Sequence, residues 1–309
     1  MRIVFMGTPD FSVPTLVKLK EAGHEIAAVV TQPDKPKGRG KTMQAPPVKE
    51  KALELSIPVF QPVKVREPEF IAHLKKLNPD VIVVVAFGQI LPESILTLPE
   101  YGCINVHASL LPKLRGAAPI QWAVINGDRE AGVTIMHMDV GLDTGDMITQ
   151  ESIPVEPEET GGSLHDKLSV LGAELLVKTL PLIESGTAPR VPQKDADSTY
   201  VKILNKAMGQ IDFTKRAEEI ERLIRGLNPW PSAYTFLNGK TLKIWKAQAV
   251  PEKTDGRPGE ILTVGKECIT VQTGAGNLRI LELQLEGKKR MSTESFLRGY
   301  EVSEHTILG

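Results

Sequence analysis

The amino-acid sequence predicts a two-domain α/β protein: a doubly wound domain with a predominantly parallel sheet, then a smaller all-β domain. Three observations carry this. In the first half, short apolar runs rich in β-branched residues alternate with longer amphipathic stretches. Residues 187–200 then form a Pro-, Asp- and Ser-rich stretch without periodicity, and short strand-like runs separated by glycine-bearing turns follow it. A chain of 309 residues also exceeds what a single core usually serves.

In order along the chain, Ile3–Met6, Ile26–Val30, Val81–Ala86 and Ile104–Val106 are nearly all apolar, as strands buried on both faces of a parallel sheet are. Helical stretches between them begin at Pro14 after Ser12, at Pro46-Pro47 before Val48–Leu55, and at Pro68 before Glu69–Leu77. Val133–Met138 and Met147–Val155 read as strands on either side of an acidic turn. A long helix over Ser163–Glu184 is expected, capped by Ser163 and ended at Gly186. The expected domains are therefore residues 1–189, a linker at 190–205, and residues 206–309. In the last of these, a helix over Lys215–Gly226 precedes strands at Tyr234–Phe236, Leu242–Ala249, Gly259–Val264, Cys268–Thr273 and Leu278–Leu285. Turn signals such as Asn238-Gly239 separate them, which suits a small barrel or sandwich.

Lys and Arg number 37 against 38 Asp and Glu, a formal net charge of -1 that by itself argues against a nucleic-acid partner. Splitting the chain weakens that inference. Residues 206–309 hold 16 bases and 13 acids, giving +3, while residues 1–205 hold 21 and 25, giving -4. Within the acidic half, the loop Pro33–Lys41 carries four bases and one acid. Two basic surfaces on an acidic background suit a modest number of phosphate contacts. Only Cys103 and Cys268 are present, which fits a reducing compartment. No window approaches the roughly 18 apolar residues of a membrane span, and the apolar start, broken at Gly7-Thr8-Pro9, is too short for a signal peptide. The expectation is a cytoplasmic protein that acts as a monomer and does not engage a membrane.

Several common chemistries are excluded by their motifs. The first turn, Gly7-Thr8-Pro9-Asp10-Phe11, has one glycine where a dinucleotide fingerprint needs three. Gly38-Arg39-Gly40-Lys41-Thr42 imitates the end of a phosphate-binding loop, but Lys35 stands where its first glycine belongs and no helix follows directly. No Gly-x-Ser-x-Gly turn exists, and Cys103 lies inside an apolar strand. Asp139, Asp143 and Asp146 share one turn but lack a calcium loop's twelfth-position glutamate, which is Gln150 here; no Cys/His spacing suits zinc. No metal is expected.

The richest chemistry lies at Asn105-Val106-His107-Ala108-Ser109. With a strand over Cys103–His107, alternation sends Asn105 and His107 to one side at the strand's carboxyl end. A neutral amide can stabilise an oxyanion while an imidazole moves protons, which suits acyl-type transfer. The segment alone equally fits a buried histidine with its hydrogen bonds satisfied. A carboxylate from the Asp139–Asp146 turn would shift that balance, fixing the histidine's tautomer and raising its pKa. Direct transfer to a bound amine, without a covalent enzyme intermediate, is the chemistry left. The basic loop at residues 32–45, with no aliphatic side chain between Pro33 and Lys41, has no means of docking on a core, so it is either a solvated loop or one ordered by a partner.

Gly7–Phe11, Asn105–Pro112, Arg115–Gln121, Gly132–Asp146 and Leu227-Asn228-Pro229-Trp230-Pro231 together resemble the methionyl-tRNA formyltransferase family, in order and across both domains. That resemblance implies a Rossmann-like formyltransferase domain followed by an OB-like β-barrel that binds tRNA. It implies transfer of the formyl group of 10-formyltetrahydrofolate to the α-amine of methionyl initiator tRNA. The family's catalytic trio falls on Asn105, His107 and Asp143. Its folate-contacting segment falls on Ser109, Leu110, Leu111 and Pro112, and its tRNA-contacting insertion on Lys35, Lys37, Arg39 and Lys41. Leu114 departs from the aromatic or bulky residue more often found before the Arg-Gly pair. Rival readings are another folate-dependent formyl transfer, to glycinamide ribonucleotide or to an amino-sugar nucleotide, a 10-formyltetrahydrofolate hydrolase, and a noncatalytic RNA-binding module. The first rival wants a phosphate-binding turn after strand one, and the sugar-nucleotide enzyme is expected to be half of a longer chain.

Overall fold

The structure, a computed structural model, describes residues 1–37, 42–252 and 255–309. The chain divides into two compact units: residues 1–119, 131–153 and 165–201, and residues 120–130, 154–164 and 202–309.

The elements of the first half are β1 (Arg2–Gly7), α1 (Val13–Glu21), β2 (Glu25–Val30), β3 (Lys35–Lys37), β4 (Thr42–Gln44), α2 (Pro47–Glu54), β5 (Val59–Phe60), α3 (Pro68–Leu77), β6 (Val81–Val85), α4 (Glu93–Leu96) and β7 (Cys103–His107). They continue with β8 (Arg115–Gly116), α5 (Pro119–Asn126), β9 (Glu130–His137), β10 (Met147–Pro154), α6 (Gly161–Glu184) and β11 (Tyr200–Val201). Seven strands form one sheet in the order β10-β9-β7-β6-β1-β2-β5. The pairs β7/β6, β6/β1, β1/β2 and β2/β5 are parallel, and β9 runs antiparallel to β7. Every residue of β6, Val-Ile-Val-Val-Val, is buried, and each such side chain is worth roughly 1.5–3 kcal/mol on burial. That is why a continuous β-branched run becomes a central strand. The prolines act as the sequence predicts: Pro14, Pro47 and Pro68 each sit in the first turn of a helix, where no N–H is needed.

From β1 the chain runs outward through β2 to β5, then returns on the other side of β1 as β6 and β7. The crevice of such a sheet opens beyond the carboxyl ends of its strands where that reversal occurs, between β1 and β6. Protein groups fill the turn after β1: Thr8 Oγ1 donates to the Phe87 carbonyl at 2.9 Å, Ser12 Oγ donates to the Val85 carbonyl at 2.6 Å, and Phe11 is buried.

Two details differ from the sequence reading. Helix α6 is capped by Thr160, not Ser163: Thr160 Oγ1 accepts from Ser163 N–H and Ser163 Oγ accepts from Thr160 N–H, both at 3.0 Å. This reciprocal pair places Ser163 at the third helical position. The basic loop is not without structure either, since β3 and β4 pair antiparallel with Lys35 opposite Gln44. Asp34 at its base accepts from Gln61 Nε2 and Lys49 Nζ, and these bonds hold its carboxyl below the usual range. Backbone pairing supplies the order that apolar side chains do not.

The second unit carries α7 (Ala217–Gly226), β12 (Ala233–Leu237), β13 (Lys240–Val250), β14 (Ile261–Val264), β15 (Ile269–Gln272), β16 (Asn277–Leu285), β17 (Met291–Ser292) and α8 (Thr293–Leu297). Its sheet runs β12-β13-β16-β15-β14 with antiparallel pairing throughout, and β17 adds to β16. Asn238 and Gly239, at φ 49° and 75°, make the tight turn between β12 and β13. One core fills this unit, with Ile220 and Ile224 of α7 packed among Leu242, Ile244, Val271, Ile280 and Leu283. An antiparallel sheet around one core is consistent with an OB-like domain.

Candidate active site

Strand β7 ends at the carboxyl edge of the sheet beside β6, with Asn105 opposite Val84. Asn105 is half-buried, and its side-chain amide has no hydrogen-bond partner among the described residues. His107, two residues on and therefore on the same side, is 6% exposed. Its Nε2 lies 3.2 Å from the Leu114 carbonyl, so that nitrogen carries the hydrogen and donates. Its Nδ1 faces Asp143 Oδ1 at 3.7 Å, close enough for charge attraction and too long for a hydrogen bond.

Of the three carboxylates on the acidic turn, the fold brings Asp143 to the histidine. Asp143 adopts a left-handed backbone (φ 55°), and its Oδ2 accepts the Gly116 N–H at 2.8 Å. Asp139 instead accepts from Gly141 N–H and Thr144 Oγ1, closing the turn upon itself. Gly145 permits the turn to lie against β9, because a Cβ there would meet the His137 carbonyl oxygen at 1.9 Å.

The expected upward pull of the carboxylate on His107 is present, but burial is the larger effect. Burial lowers the His107 pKa below 6.5 and outweighs the opposite pull of Asp143 and of the Leu114 carbonyl. A single carboxylate without a direct hydrogen bond does not offset the loss of water around a cation this deep. The resting imidazole is neutral, with its lone pair on Nδ1. Cys103 is inert, since burial pushes its thiol up to about 12.

The segment after β7 is organised around Thr134, which is fully buried. Its hydroxyl donates to the Ser109 carbonyl at 2.6 Å and accepts from Leu111 N–H at 3.1 Å and Gln150 Nε2 at 2.8 Å; Gln150 Nε2 also reaches the Leu111 carbonyl at 2.8 Å. Ser109 and Leu111 are buried, and the Ser109 hydroxyl donates to the Lys113 carbonyl. Leu110 and Pro112 are half-exposed and are the two that present side-chain surface. Thr134 and Gln150 escaped the sequence reading because a threonine in an apolar strand looks like a packing residue. Arg115 was visible as a charge beside Gly116 but carried no assigned role.

Lys35 is exposed at the start of β3, while Arg39 and Lys41 lie outside the described residues, as does the side chain of Lys37. A pocket between the start of this hairpin and the sheet is lined by Thr8, Pro9, Gln32, Lys35 and Pro46. Among the described residues, no group of three or more His, Cys, Asp or Glu side chains is arranged to hold a metal ion. No described helix is long and apolar enough to cross a membrane.

The formyl transferase family matches residues 1–180, and its C-terminal domain matches residues 203–301. The chain is 63% identical to the methionyl-tRNA formyltransferase of Agathobacter rectalis over 98% of both chains. It is 56% identical to that of Lachnospira eligens over 100% of both, and 54% identical to that of Geobacter metallireducens over 100% of this chain and 99% of the other. This chain belongs to the methionyl-tRNA formyltransferase family. The reaction class is therefore formyl transfer, as the order of motifs implied.

Solved structures bear out the fold. The sugar 3N-formyltransferase WlaRD aligns with a TM-score of 0.68 at 19% identity, over 94% of this chain and 99% of its own. An N-formyltransferase from Helicobacter canadensis aligns at 0.67 with 20% identity, over 90% and 98%. HypX from Aquifex aeolicus aligns at 0.65 with 19% identity over 98% of this chain, which spans 49% of HypX. These likenesses, at 19–20% identity, concern the fold.

Proposed function

We propose that the chain transfers the formyl group of 10-formyltetrahydrofolate to the α-amine of methionyl initiator tRNA, with Asn105, His107 and Asp143 as the catalytic groups. The observation that carries this is the approach of Asp143 to Nδ1 of His107 on the same side of β7 as the unpartnered Asn105 amide. The amine attacks the formyl carbon, and the Asn105 amide donates to the oxygen as it gains charge. Loss of such a donor raises the barrier by roughly 3 kcal/mol. The amine must lose a proton and the departing folate nitrogen must gain one. His107 Nδ1 takes the first, Asp143 stabilises the imidazolium so formed, and the same proton goes to the leaving nitrogen, so atoms and charge balance.

In this reading residues 1–189 make up the catalytic, folate-binding domain and 206–309 the tRNA-binding domain, with 190–205 the connecting segment, of which 193–201 is held against the first unit. The folate donor lies along Ser109–Pro112, with the surfaces of Leu110 and Pro112 toward it and Ser109 and Leu111 holding the segment's shape. Lys35, Lys37, Arg39 and Lys41 contact tRNA phosphates. The protein works as a cytoplasmic monomer. Formyl transfer to charged initiator tRNA, compared with glycinamide ribonucleotide, an amino-sugar nucleotide and water as acceptors, tests the reading; a preference for any of the last three overturns it.

A further inference from the structure

The stretch Gln193–Val201 has the sequence of a linker, yet it wraps the loop that supports the His107–Asp143 pair. That loop offers two backbone groups to the pair: the Leu114 carbonyl accepts from His107, and Gly116 N–H donates to Asp143. Arg115 stands between them and is 1% exposed. Its Nε donates to Gln193 Oε1 and its Nη1 to Asp195 Oδ1 and the Tyr200 hydroxyl, all at 3.0 Å. Leu114 N–H and Arg115 N–H both donate to Thr199, at 2.8 Å, and β11 pairs with β8. Gln193 closes the ring, because its Nε2 donates to the carbonyls of Asp143 at 2.9 Å and Gly145 at 2.8 Å.

This arrangement is not the one stability alone would select. Arg115 Nη2 is buried without a hydrogen-bond partner, and a buried charge with an unmatched donor is destabilising. Leu114 and Asp143 both hold left-handed backbones, at φ 59° and 55°, which favour glycine over a side chain. Unmatched polarity and strained backbone persist where neighbouring contacts over-determine the geometry, and they cluster at working sites. Here both flank the histidine.

We propose that Arg115 and Gln193 are positioning residues for formyl transfer, holding the 114–116 loop and the Asp143 turn as one body and so setting the His107–Asp143 separation. The proposal rests on the reading of His107 and Asp143 as the proton-handling pair. On this proposal Arg115 and Gln193 act through the 114–116 loop and the Asp143 turn, so the chemical step depends on them and substrate affinity is expected to change little.

Single-turnover transfer from 10-formyltetrahydrofolate to charged initiator tRNA, using the full chain at saturating substrates, tests this together with KM for each substrate. Gln193→Ala is expected to slow the chemical step by about 10- to 100-fold with both KM values within about threefold. Gln193→Glu keeps the acceptor facing Arg115 but sets an oxygen against two carbonyls, so it is expected to be as slow as Gln193→Ala. Arg115→Lys keeps the charge and loses the fork, and is expected to be equally slow; should it fold poorly, the half-buried Gln193 decides. A normal rate in both Gln193 variants, with only a lower melting temperature, overturns the proposal, as does a raised KM at normal rate. If those variants are normal while Asp143→Asn is inactive, only the positioning role falls. If Asp143→Asn and His107→Asn are both fully active, the reading of the catalytic pair falls instead.

Discussion

Asp143 divides its two carboxylate oxygens between an imidazole and a backbone amide: Oδ1 faces His107 Nδ1 at 3.7 Å while Oδ2 accepts the Gly116 N–H at 2.8 Å. The first relationship is electrostatic and the second is a true hydrogen bond. The carboxylate is thereby fixed before any proton moves, and it favours the imidazolium only once a proton arrives. Replacing Asp143 with Asn keeps the size and the Gly116 contact but removes the charge. Turnover is expected to fall about 100-fold or more, as for His107→Asn, with folate binding measured by fluorescence titration unchanged. Full activity in Asp143→Asn sinks the role assigned to it.

The depressed pKa of His107 links the site to stability. Well above pH 6.5 the histidine is neutral in both folded and unfolded chains and contributes no pH dependence. As pH falls below 6.5 the unfolded chain takes the proton first, so stability declines until the folded pKa is passed. His24 and His137, also lowered chiefly by burial, act with the same sign. Melting temperature is expected to drop as pH is lowered from about 7.5 to about 5, and His107→Asn is expected to reduce that slope. An unchanged slope in the variant contradicts a buried neutral His107.

Thr134 is the side chain on which the Ser109–Pro112 segment depends. Valine in its place keeps the shape and loses all three hydrogen bonds, leaving the Leu111 N–H without its partner. An unsatisfied buried group costs about 1–3 kcal/mol. Thr134→Val is therefore expected to lower unfolding free energy by that amount and to raise KM for the folate more than for tRNA. Equal effects on both substrates place the folate elsewhere.

The acidic turn predicts a steric effect of a different kind. A Cβ on Gly145 meets the backbone oxygen of His137, which has no rotamer by which to yield. Gly145→Ala is expected to destabilise by roughly 1–3 kcal/mol and to move Asp143, two residues away, so that activity falls with stability. Normal activity at reduced stability shows the turn yielding without moving the carboxylate.

Much of this was legible in the sequence because burial on both faces leaves an unmistakable composition. The runs Ile3–Met6, Ile26–Val30 and Val81–Val85 are strands for the same reason that they are apolar, and Pro14, Pro47 and Pro68 mark helix starts because the first turn needs no N–H. Alternation also places Asn105 and His107 on one side of β7. What could not be read is whatever depends on distant polar partners. Asp139, Asp143 and Asp146 are alike in sequence, and distant partners single out Asp143: the Gly116 N–H on its carboxylate and Gln193 Nε2 on its carbonyl. The 193–201 segment looks like a linker because its order is held by Arg115 and Thr199 rather than by apolar periodicity. The sign of the His107 shift depends on the depth of burial, which no local pattern encodes.

Salt dependence provides the sharpest test of the basic hairpin. Lys35, Lys37, Arg39 and Lys41 concentrate four bases against Asp34, and Asp34 is already held by Lys49 and Gln61. Asp34 therefore has its partners outside the run of four bases. Each phosphate contact releases condensed counterions, so the logarithm of affinity falls with the logarithm of salt by about 0.7–0.9 per contact. Removing one contact with Arg39→Ala is expected to weaken tRNA binding and to reduce the salt slope by about 1. Folate affinity is expected to stay unchanged, since the loss concerns a phosphate and not the carboxyl edge of β7. A variant that loses tRNA and folate binding together, with no change in salt slope, makes the arginine a structural element of the hairpin and removes the tRNA contact from it.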